Sequence, residues 1–253
     1  MSCVFLLKEV SMKTNILGIE FDNIDMEKAL DILMGFFCAS ENHIIVTPNP
    51  EGVMQAKRNE DFAIALKSAD LRLADGIGIV IASRLGKSPL KSRVRGYDTT
   101  IGLFNRLQSQ AFTAYFLGAK PQVAEKAAKY CEEKYKGLTV VGCHHGYFED
   151  DLHIINEINK LSPDILLVCL GMPRAEIWAY KNKNINTRIT LCVGGTIDVL
   201  AGNVHLAPNW IRKIGFEWLY RFIKQPSRIK RMIDIPRFVF AVLYSKINRV
   251  DSR

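Results

Sequence analysis

The sequence lacks the uninterrupted apolar run of about 20 residues that a transmembrane helix requires. Its longest apolar run near the C-terminus covers only residues 238–244. The N-terminus lacks the basic start and the long apolar segment of a secretory signal, and Met12 is an alternative start that would leave the preceding residues as an extension. The six cysteines are scattered and form no C-x-x-C pair, which argues against a zinc site and favours reduced thiols in a cytosolic protein.

Two common nucleotide-binding signatures are also missing. Gly194 and Gly195 are not followed by the Gly-Lys-Ser/Thr of a P-loop, and Ile81 stands where a dinucleotide fingerprint that starts at Gly76 needs its third glycine. The sequence contains neither G-x-S-x-G nor H-E-x-x-H, so hydrolase and metalloenzyme functions have little support. The sequence does not exclude a nucleotide ligand that is bound without these signatures.

Positive charge is concentrated at the C-terminal end of the chain. The net charge is +8 at pH 7, and residues 201–253 contain 11 Lys and Arg but only 3 Asp and Glu, whereas the preceding residues are balanced. A basic tail of this kind favours an anionic partner, which is a phosphate, a nucleic acid or an acidic membrane surface.

Apolar runs that end at Gly, Pro or Asp alternate with helical patterns up to about residue 202. The run Ile165–Leu170 is continuously apolar, as is typical of a strand that is covered on both faces. This alternation predicts an α/β fold with a doubly wound, mostly parallel, Rossmann-like sheet. The later residues predict a helical appendage that is broken at prolines. We therefore expect an N-terminal extension (1–13), an α/β domain (14–202) and a basic amphipathic appendage (203–253).

The most informative stretch is 71–80, in which an apolar run ends at Asp75 and a helical segment begins with Gly76 and Gly78. Open α/β sheets bind their ligands at the carboxyl ends of the strands. Asp75 is therefore a candidate catalytic carboxylate. The alternative is that Asp75 is the N-cap of the following helix, which is a common use of Asp at such a turn.

Polar groups follow two other predicted strands. Thr47 and Asn49 lie in a rigid Pro-rich segment, where a hydroxyl and an amide suit sugar hydroxyls or an N-acetyl group, or else only a local turn. Gly194-Gly195, between a strand and a helix, allow backbone N–H groups to approach a phosphate. Arg93 and Arg95, which precede Gly96, are placed to meet phosphate or carboxylate, or to form a solvated loop pair.

The basic tail has a regular spacing. Four cations are spaced three, four and three residues apart, so that on a continuous helix they form one stripe. Aromatic residues such as Trp210 and Trp218 supply an apolar face, a combination that suits an anionic bilayer or a phosphate-bearing lipid. The alternative is an amphipathic helix that only covers the core. The stripe consists of Arg221, Lys224, Arg228 and Arg231.

An ordered set of motifs resembles the WecG/TagA/CpsF glycosyltransferases over about residues 14–232. Each motif alone is short, and the order of the whole set carries the resemblance. The motifs are TPNPE (47–51), ADG (74–76), RVRGYD (93–98), FLG (116–118), LGMP (170–173), VGGTIDVLAG (193–202), APNW (207–210) and EWLYRFIKQPSR (217–228).

The resemblance implies an inverting glycosyltransferase that moves N-acetylmannosamine from a UDP donor to N-acetylglucosamine on undecaprenyl diphosphate through a β-1,4 link. Such transfer belongs to teichoic-acid linkage-unit synthesis. It also implies a cytoplasmic enzyme at the inner face of the plasma membrane, without a metal or other cofactor, and is compatible with a homo-oligomer. The residues that match family positions are the general base Asp75, the pocket residues Thr47, Asn49 and Arg93, and the diphosphate-binding Arg221, Arg228 and Arg231.

Two positions depart from the family pattern. Ala175 stands where a pocket Gln is expected, and Leu206 stands where an Arg is expected. The first departure leaves open a different donor, such as a UDP-uronic acid or UDP-hexose, and the second removes a cation. The alternative of another class is a non-enzymatic protein that binds anionic lipid or nucleic acid. Such a protein would not need a carboxylate like Asp75 at the ligand edge of the sheet. We therefore expect no nucleic-acid partner.

Overall fold

Strands and helices alternate along the computed structural model, which describes residues 12–86, 88–224 and 233–250. The strands are β1 (Lys13–Ile16), β2 (Ile19–Asp22), β3 (His43–Val46), β4 (Leu71–Arg72), β5 (Phe112–Gly118), β6 (Leu138–His144), β7 (Ile165–Cys169) and β8 (Ile189–Cys192). The helices are α1 (Met26–Phe37), α2 (Pro50–Ala56), α3 (Glu60–Ser68), α4 (Ile77–Ser83), α5 (Gly96–Leu107), α6 (Val123–Lys134), α7 (Leu152–Leu161), α8 (Arg174–Lys181), α9 (Thr196–Leu200), α10 (Asn209–Ile214), α11 (Glu217–Lys224) and α12 (Asp234–Val250).

The central sheet has six strands in the order β4–β3–β8–β7–β5–β6, and every neighbouring pair is parallel. Because successive side chains of a strand point to opposite faces, adjacent residues enter different layers of the core. Leu167 belongs to the core layer that contains residues of α1, α5, α6 and α9, whereas Leu166 belongs to the layer that contains residues of α2, α3, α4, α7 and α8. The prediction of an α/β fold with a doubly wound parallel sheet is confirmed.

Local capping defines where three of the helices begin. Asp25 precedes α1, Asn49 precedes α2 and Asn59 precedes α3, and each side chain accepts a hydrogen bond from the backbone N–H three residues further on. Such caps satisfy N–H groups that have no partner inside the helix. The start of α2, directly after β3, is therefore fixed by Asn49.

A buried arginine holds β4 against its neighbours. The side chain of Arg72 donates hydrogen bonds to the carbonyl oxygens of Leu66 (3.3 Å), Lys67 (2.9 Å) and Ala69 (2.5 Å) at the end of α3, and to that of Glu20 in β2 (2.9 Å). The last carbonyls of a helix otherwise lack partners. Arg72 thereby ties α3 and the antiparallel β1–β2 hairpin to the edge strand.

The carboxyl ends of the six parallel strands meet at one edge of the sheet. The strand β8 comes last in the sequence but lies between β3 and β7. The segments that follow β4, β3 and β8 are consequently neighbours, although they are far apart in sequence. This edge is where an open α/β sheet binds its ligands.

Helices follow the sheet domain, as the sequence pattern predicts. The last helix, α12, packs through Phe238 and Val242 on the side of the sheet that α2 and α4 cover. No helix in the described ranges is long and apolar enough to cross a membrane.

Candidate active site

Asp75 lies at the carboxyl edge of the sheet and joins three segments. Its backbone N–H donates to the carbonyl oxygen of Pro48, after β3, at 3.2 Å. Its carboxylate Oδ2 accepts from the backbone N–H of Gly96, the first residue of α5, at 3.4 Å. The side chain is half-buried. The placement predicted for Asp75 at the ligand edge therefore agrees with the structure.

The interpretation of Asp75 as a helix N-cap is wrong. The residue at the N-cap position of α4 is Gly76 rather than Asp75, and its φ of 124° is in a region that favours glycine. The start of α4 also lies very close to the segment after β3. A Cβ atom at Gly76 would lie 3.1 Å from Cδ of Pro50, and one at Gly78 would lie 2.8 Å from its Cγ. The two glycines let these loops pack together beside Asp75.

Thr47 and Asn49 both take part in the framework of the site. The Thr47 hydroxyl donates to the carbonyl oxygen of Cys192 at 3.2 Å, so its oxygen is left to act as an acceptor. Asn49 uses Oδ1 to cap α2 by accepting from the N–H of Gly52 at 2.9 Å, so a contact with a ligand would come from its Nδ2 amide group. The structure brings Thr47 close to the residues around Asp75, because a Cβ at Gly96 would lie 3.0 Å from its Oγ1.

The glycine pair after β8 borders the same place. Gly194 has a φ of 55°, and a Cβ added there would meet no described atom within 4 Å. Gly195 is the N-cap residue of the short helix α9. Val193, which precedes the pair, is close to Gly96, because a Cβ on that glycine would lie 3.1 Å from Cγ1 of Val193. The backbone at Gly194 is thus not covered on the side to which a Cβ would point.

Arg93 lies between the sheet domain and the C-terminal helices. Its Nη2 donates to the carbonyl oxygen of Arg212 in α10 at 3.2 Å and lies 3.9 Å from Oε2 of Glu217 in α11. Burial lowers the pKa of the Arg93 guanidinium, the charge of Arg95 lowers it further, and the negative charges of Asp75 and Glu217 act in the opposite direction. Arg93 therefore interacts electrostatically with Asp75 and stays cationic.

A cluster of ion pairs surrounds Arg93, and the sequence pattern does not reveal it. Nη1 of Arg95 lies 3.6 Å from Oε2 of Glu217, and Arg95 also pairs with Asp98. Nη2 of Arg212 donates to Oδ1 of Asp98 at 2.8 Å. The sequence signal for this cluster is weak, but Glu217 is one of only 3 acidic residues in the strongly basic segment 201–253.

The cationic stripe is only partly described. Arg221 and Lys224 lie in α11, but their side chains are outside what the structure describes, and Arg228 and Arg231 lie outside the described residues. The helix that carries the first two begins at Glu217. This helix also contributes Glu217 to the ion-pair cluster beside Arg93.

The segment after β7 contains a buried carboxyl group that the sequence pattern does not identify. Burial raises the pKa of Glu176 in the first turn of α8 to about 7. Its neighbour Ala175 is also buried, and the N–H of Ala175 donates to the carbonyl oxygen of Gly171 at 2.9 Å. The Ala175 methyl group packs in the core on this side of the sheet, at the position where the family pattern leads us to expect Gln.

A model of the glycosyl transferase WecG/TagA/CpsF family matches residues 14–252. The chain belongs to this family. It is 34% identical to an N-acetylglucosaminyldiphosphoundecaprenol N-acetyl-beta-D-mannosaminyltransferase from Bacillus spizizenii, over 79% of this chain and 78% of that one. Proteins of the same name from Bacillus subtilis and Staphylococcus aureus are 33% and 31% identical, over 81% and 92% of this chain and 81% and 93% of theirs.

The WecG/TagA/CpsF match confirms the family that the ordered motifs predict and makes this chain a glycosyltransferase. The motifs at residues 74–76 and 93–98 contain the half-buried Asp75 and the Arg93 guanidinium on which the charge of Asp75 acts. The catalytic role of Asp75 and the binding roles of Thr47, Asn49, Arg93 and the glycine pair stay predictions.

Proposed function

We propose that the chain transfers N-acetylmannosamine from UDP-N-acetylmannosamine to N-acetylglucosaminyl-diphosphoundecaprenol, forming a β-1,4 link for teichoic-acid linkage-unit synthesis. The relatives bear the name of an N-acetylmannosaminyltransferase with this acceptor. The observation that carries the proposal is the position of Asp75, which the N–H of Gly96 contacts and whose charge acts on Arg93. A carboxylate at the ligand edge of the sheet therefore interacts electrostatically with the Arg93 guanidinium.

Asp75 acts as the general base in this proposal. Its carboxylate takes the proton of the acceptor hydroxyl while the hydroxyl oxygen attacks the anomeric carbon of the donor sugar. The new glycosidic bond forms as the bond between that carbon and the UDP oxygen breaks. Attack from the face opposite to UDP inverts the anomeric configuration. The hydrogen bond from Gly96 to Oδ2 holds the carboxylate in place.

The leaving UDP carries developing negative charge, which needs compensation in the transition state. We assign this role to Arg93, to the backbone N–H groups of Gly194-Gly195 and to the cationic stripe, in a mechanism without a metal. Thr47 and Asn49 bind the sugar hydroxyl and N-acetyl groups. Backbone N–H groups at a strand-to-helix turn are suited to a phosphate.

The C-terminal appendage brings the enzyme to its lipid-linked acceptor. Trp210 in α10 is 65% exposed and Ile223 in α11 is 66% exposed, so apolar side chains on two adjacent helices face solvent in a segment that is rich in Lys and Arg. Exposed aromatic and apolar residues beside cations favour the interface of an anionic membrane. We propose peripheral binding to the inner face of the plasma membrane, with the appendage excluding water from the site during transfer.

A second donor is the alternative that a specific observation favours. The buried methyl group of Ala175 cannot make the polar contact that the family's Gln would make. A different sugar, such as the uronic acid or a hexose on UDP, would explain this substitution. A non-enzymatic binding function gains no support from a glycosyltransferase family.

The test is UDP release from UDP-N-acetylmannosamine with and without the lipid-diphosphate acceptor, in wild type and in Asp75→Asn. We expect acceptor-dependent release in wild type and a loss of about 10²-fold to 10⁴-fold in the variant, which is the usual contribution of a general base. UDP should still raise the melting temperature of Asp75→Asn, because ligand binding to the folded state stabilises it.

Equal transfer rates in the two proteins would refute the base assignment. Absence of transfer in a wild type that still binds UDP would refute the donor, and the same assay with UDP-N-acetylmannosaminuronic acid and UDP-hexoses would then identify the sugar. Asp75→Glu is a useful second variant because it keeps the charge while moving the carboxylate, so partial activity is expected.

A further inference from the structure

The ion-pair cluster beside Asp75 connects two parts of the chain that are far apart in sequence. We call it the clasp and define it by its five members, Arg93, Arg95, Asp98, Arg212 and Glu217. Arg93 and Arg95 lie just before α5, and Asp98 lies in its first turn. The other two lie in the C-terminal helices α10 and α11.

The clasp is shielded from solvent to a degree that surface ion pairs are not. The side chains of Glu217, Arg212 and Arg93 are only 12%, 13% and 14% exposed. Exposed ion pairs contribute little because water screens them. When one member of a buried pair is removed, however, the other charge is left without compensation, which is strongly unfavourable. Loss of the Glu217 carboxylate would therefore leave the charges of Arg93 and Arg95 less well compensated.

The same short segment that supplies the clasp also holds Asp75. Gly96, whose N–H donates to the Asp75 carboxylate, lies between Arg95 and Asp98. Arg93, whose charge acts on Asp75, is 3.9 Å from Glu217. The position of α11 is thus coupled through one carboxylate to the groups around Asp75.

From this juxtaposition we propose that Glu217 is a positioning residue, which docks the C-terminal helices on the catalytic edge and holds Arg93 and Arg95 in place for glycosyl transfer. The inference rests on the proposed function, because Asp75 is taken as the base. Glu217 touches neither substrate nor reacting atoms in this account. It acts through the two arginines.

The contact of Glu217 with Arg95 is an ion pair at 3.6 Å, and Nη1 of Arg95, although buried, makes no hydrogen bond within the described chain. Charge, rather than hydrogen-bond geometry, therefore carries this contact. An isosteric change that removes only the charge of Glu217 should consequently break it. Glu217→Gln is that change, and Arg95→Met removes the opposite charge while keeping an unbranched apolar stem.

The experiment is a double-mutant cycle of Glu217→Gln and Arg95→Met in the full chain. Two readouts are needed, namely amide hydrogen exchange of residues 209–224 and acceptor-dependent UDP release. We expect each single variant to speed exchange of this segment and to lower the turnover on the order of tenfold or more, because small displacements of positioning groups are costly. The double variant should be no worse than the poorer single variant, since the two side chains act on each other.

A matched control distinguishes positioning from general loss of structure. Glu27 pairs with Arg106 on the surface and is 81% exposed on its side chain, so Glu27→Gln should leave exchange and turnover unchanged. In Glu217→Gln the turnover should fall and UDP should stabilise the fold less than in wild type, because Arg93, which lies 3.9 Å from Glu217, is assigned to the charge of UDP. In Glu27→Gln the stabilisation by UDP should stay as in wild type.

Several results would overturn the inference. One is a Glu217→Gln variant whose amide exchange or turnover equals that of wild type. Another is a double variant whose loss of turnover equals the sum of the losses, in free energy, of the two single variants. If the wild type transfers no sugar to any acceptor, the proposed function fails. The exchange data then still decide whether Glu217 docks the C-terminal helices.

Discussion

The Oδ1 atom of Asn49 lies 2.9 Å from the backbone nitrogen of Gly52, from which it accepts a hydrogen bond. The residue that we propose to bind the donor sugar is therefore also the N-cap of α2. Gly52 in turn lies close to the loop after β7, because a Cβ at this position would be 2.7 Å from Sδ of Met172. Asn49 has a structural role and a proposed binding role, and these roles use different atoms of its amide.

Substitution of Asn49 can separate the two roles. Asn49→Asp keeps an oxygen for the cap, so the free energy of unfolding should change by less than about 0.5 kcal/mol, whereas Asn49→Ala should lose about 1 kcal/mol. The new carboxylate lacks the Nδ2 donor and repels the donor diphosphate, so UDP should stabilise Asn49→Asp less than wild type. Urea unfolding and thermal shifts with UDP measure the two effects. If UDP stabilises Asn49→Asp as much as wild type, Asn49 does not bind the donor and serves only as the N-cap of α2.

Removal of Arg72 should destabilise the fold. Arg72→Met leaves carbonyl groups at the end of α3 without their buried donor, and we expect a loss of about 3 kcal/mol or more in the free energy of unfolding. Arg106→Met, which removes the guanidinium that pairs with Glu27 and Asp31, should cost less than about 1 kcal/mol because these carboxylates are exposed. Urea unfolding of both variants is the measurement. Equal losses would contradict the role assigned to Arg72.

The buried carboxyl of Glu176 makes stability depend on pH. Its pKa is about 7 in the folded protein and its ordinary value is 4.5, with burial as the cause. As pH rises from 4.5, the unfolded chain loses this proton first, so the folded state loses stability until it ionises as well near pH 7. Glu176→Gln removes this effect. Between pH 5 and pH 8 the variant should gain about 2 to 3 kcal/mol relative to wild type.

Urea unfolding of wild type and Glu176→Gln at the two pH values tests this expectation. Other titrating groups are common to both proteins and cancel in the difference. A constant difference between pH 5 and pH 8 would show that Glu176 ionises in the folded protein as it does in the unfolded chain.

Membrane binding by the appendage should depend on its exposed aromatic residues. Trp210→Ser should weaken co-sedimentation with phosphatidylglycerol vesicles about fivefold, because partial burial of an indole at the interface is worth on the order of 1 kcal/mol. The control position is Tyr147, an aromatic residue that follows β6 in the sheet domain and is 66% exposed, nearly as much as Trp210. Tyr147→Ser should bind as wild type does. Equal weakening of both variants, or none in either, would contradict membrane binding through α10.

The sheet and the position of Asp75 can be predicted from the sequence because both follow from local patterns. Continuous apolar runs indicate buried parallel strands, and the polar residue after such a run lies at the carboxyl edge whichever strand is its neighbour. The role of Gly76 as N-cap is less accessible to sequence reasoning. It depends on a positive φ and on the close approach of Pro50, which only the packed structure reveals.

The clasp cannot be predicted because its contacts link distant positions. Arg93 and Arg212 are separated by 119 residues, and no periodic pattern relates residues over that distance. Glu176 illustrates a second limit. In sequence it follows Arg174 and Ala175 at the start of a helix and resembles an exposed charge, whereas the first turn of α8 is in fact packed against the core and buries it.

The place of β8 in the sheet bears on how the chain folds during synthesis. Residues 189–192 supply the strand that bridges β3 and β7, so β3–β4 and β5–β6–β7 share no hydrogen bond until about three-quarters of the chain has emerged. Sheets that depend on such late, long-range pairing form slowly, and their unpaired edges are prone to association. A nascent chain that stops before Ile189 holds Asp75 in one half of the sheet and lacks the strand that joins it to the other. The candidate site around Asp75 is therefore assembled only after residues 189–192 have been synthesised.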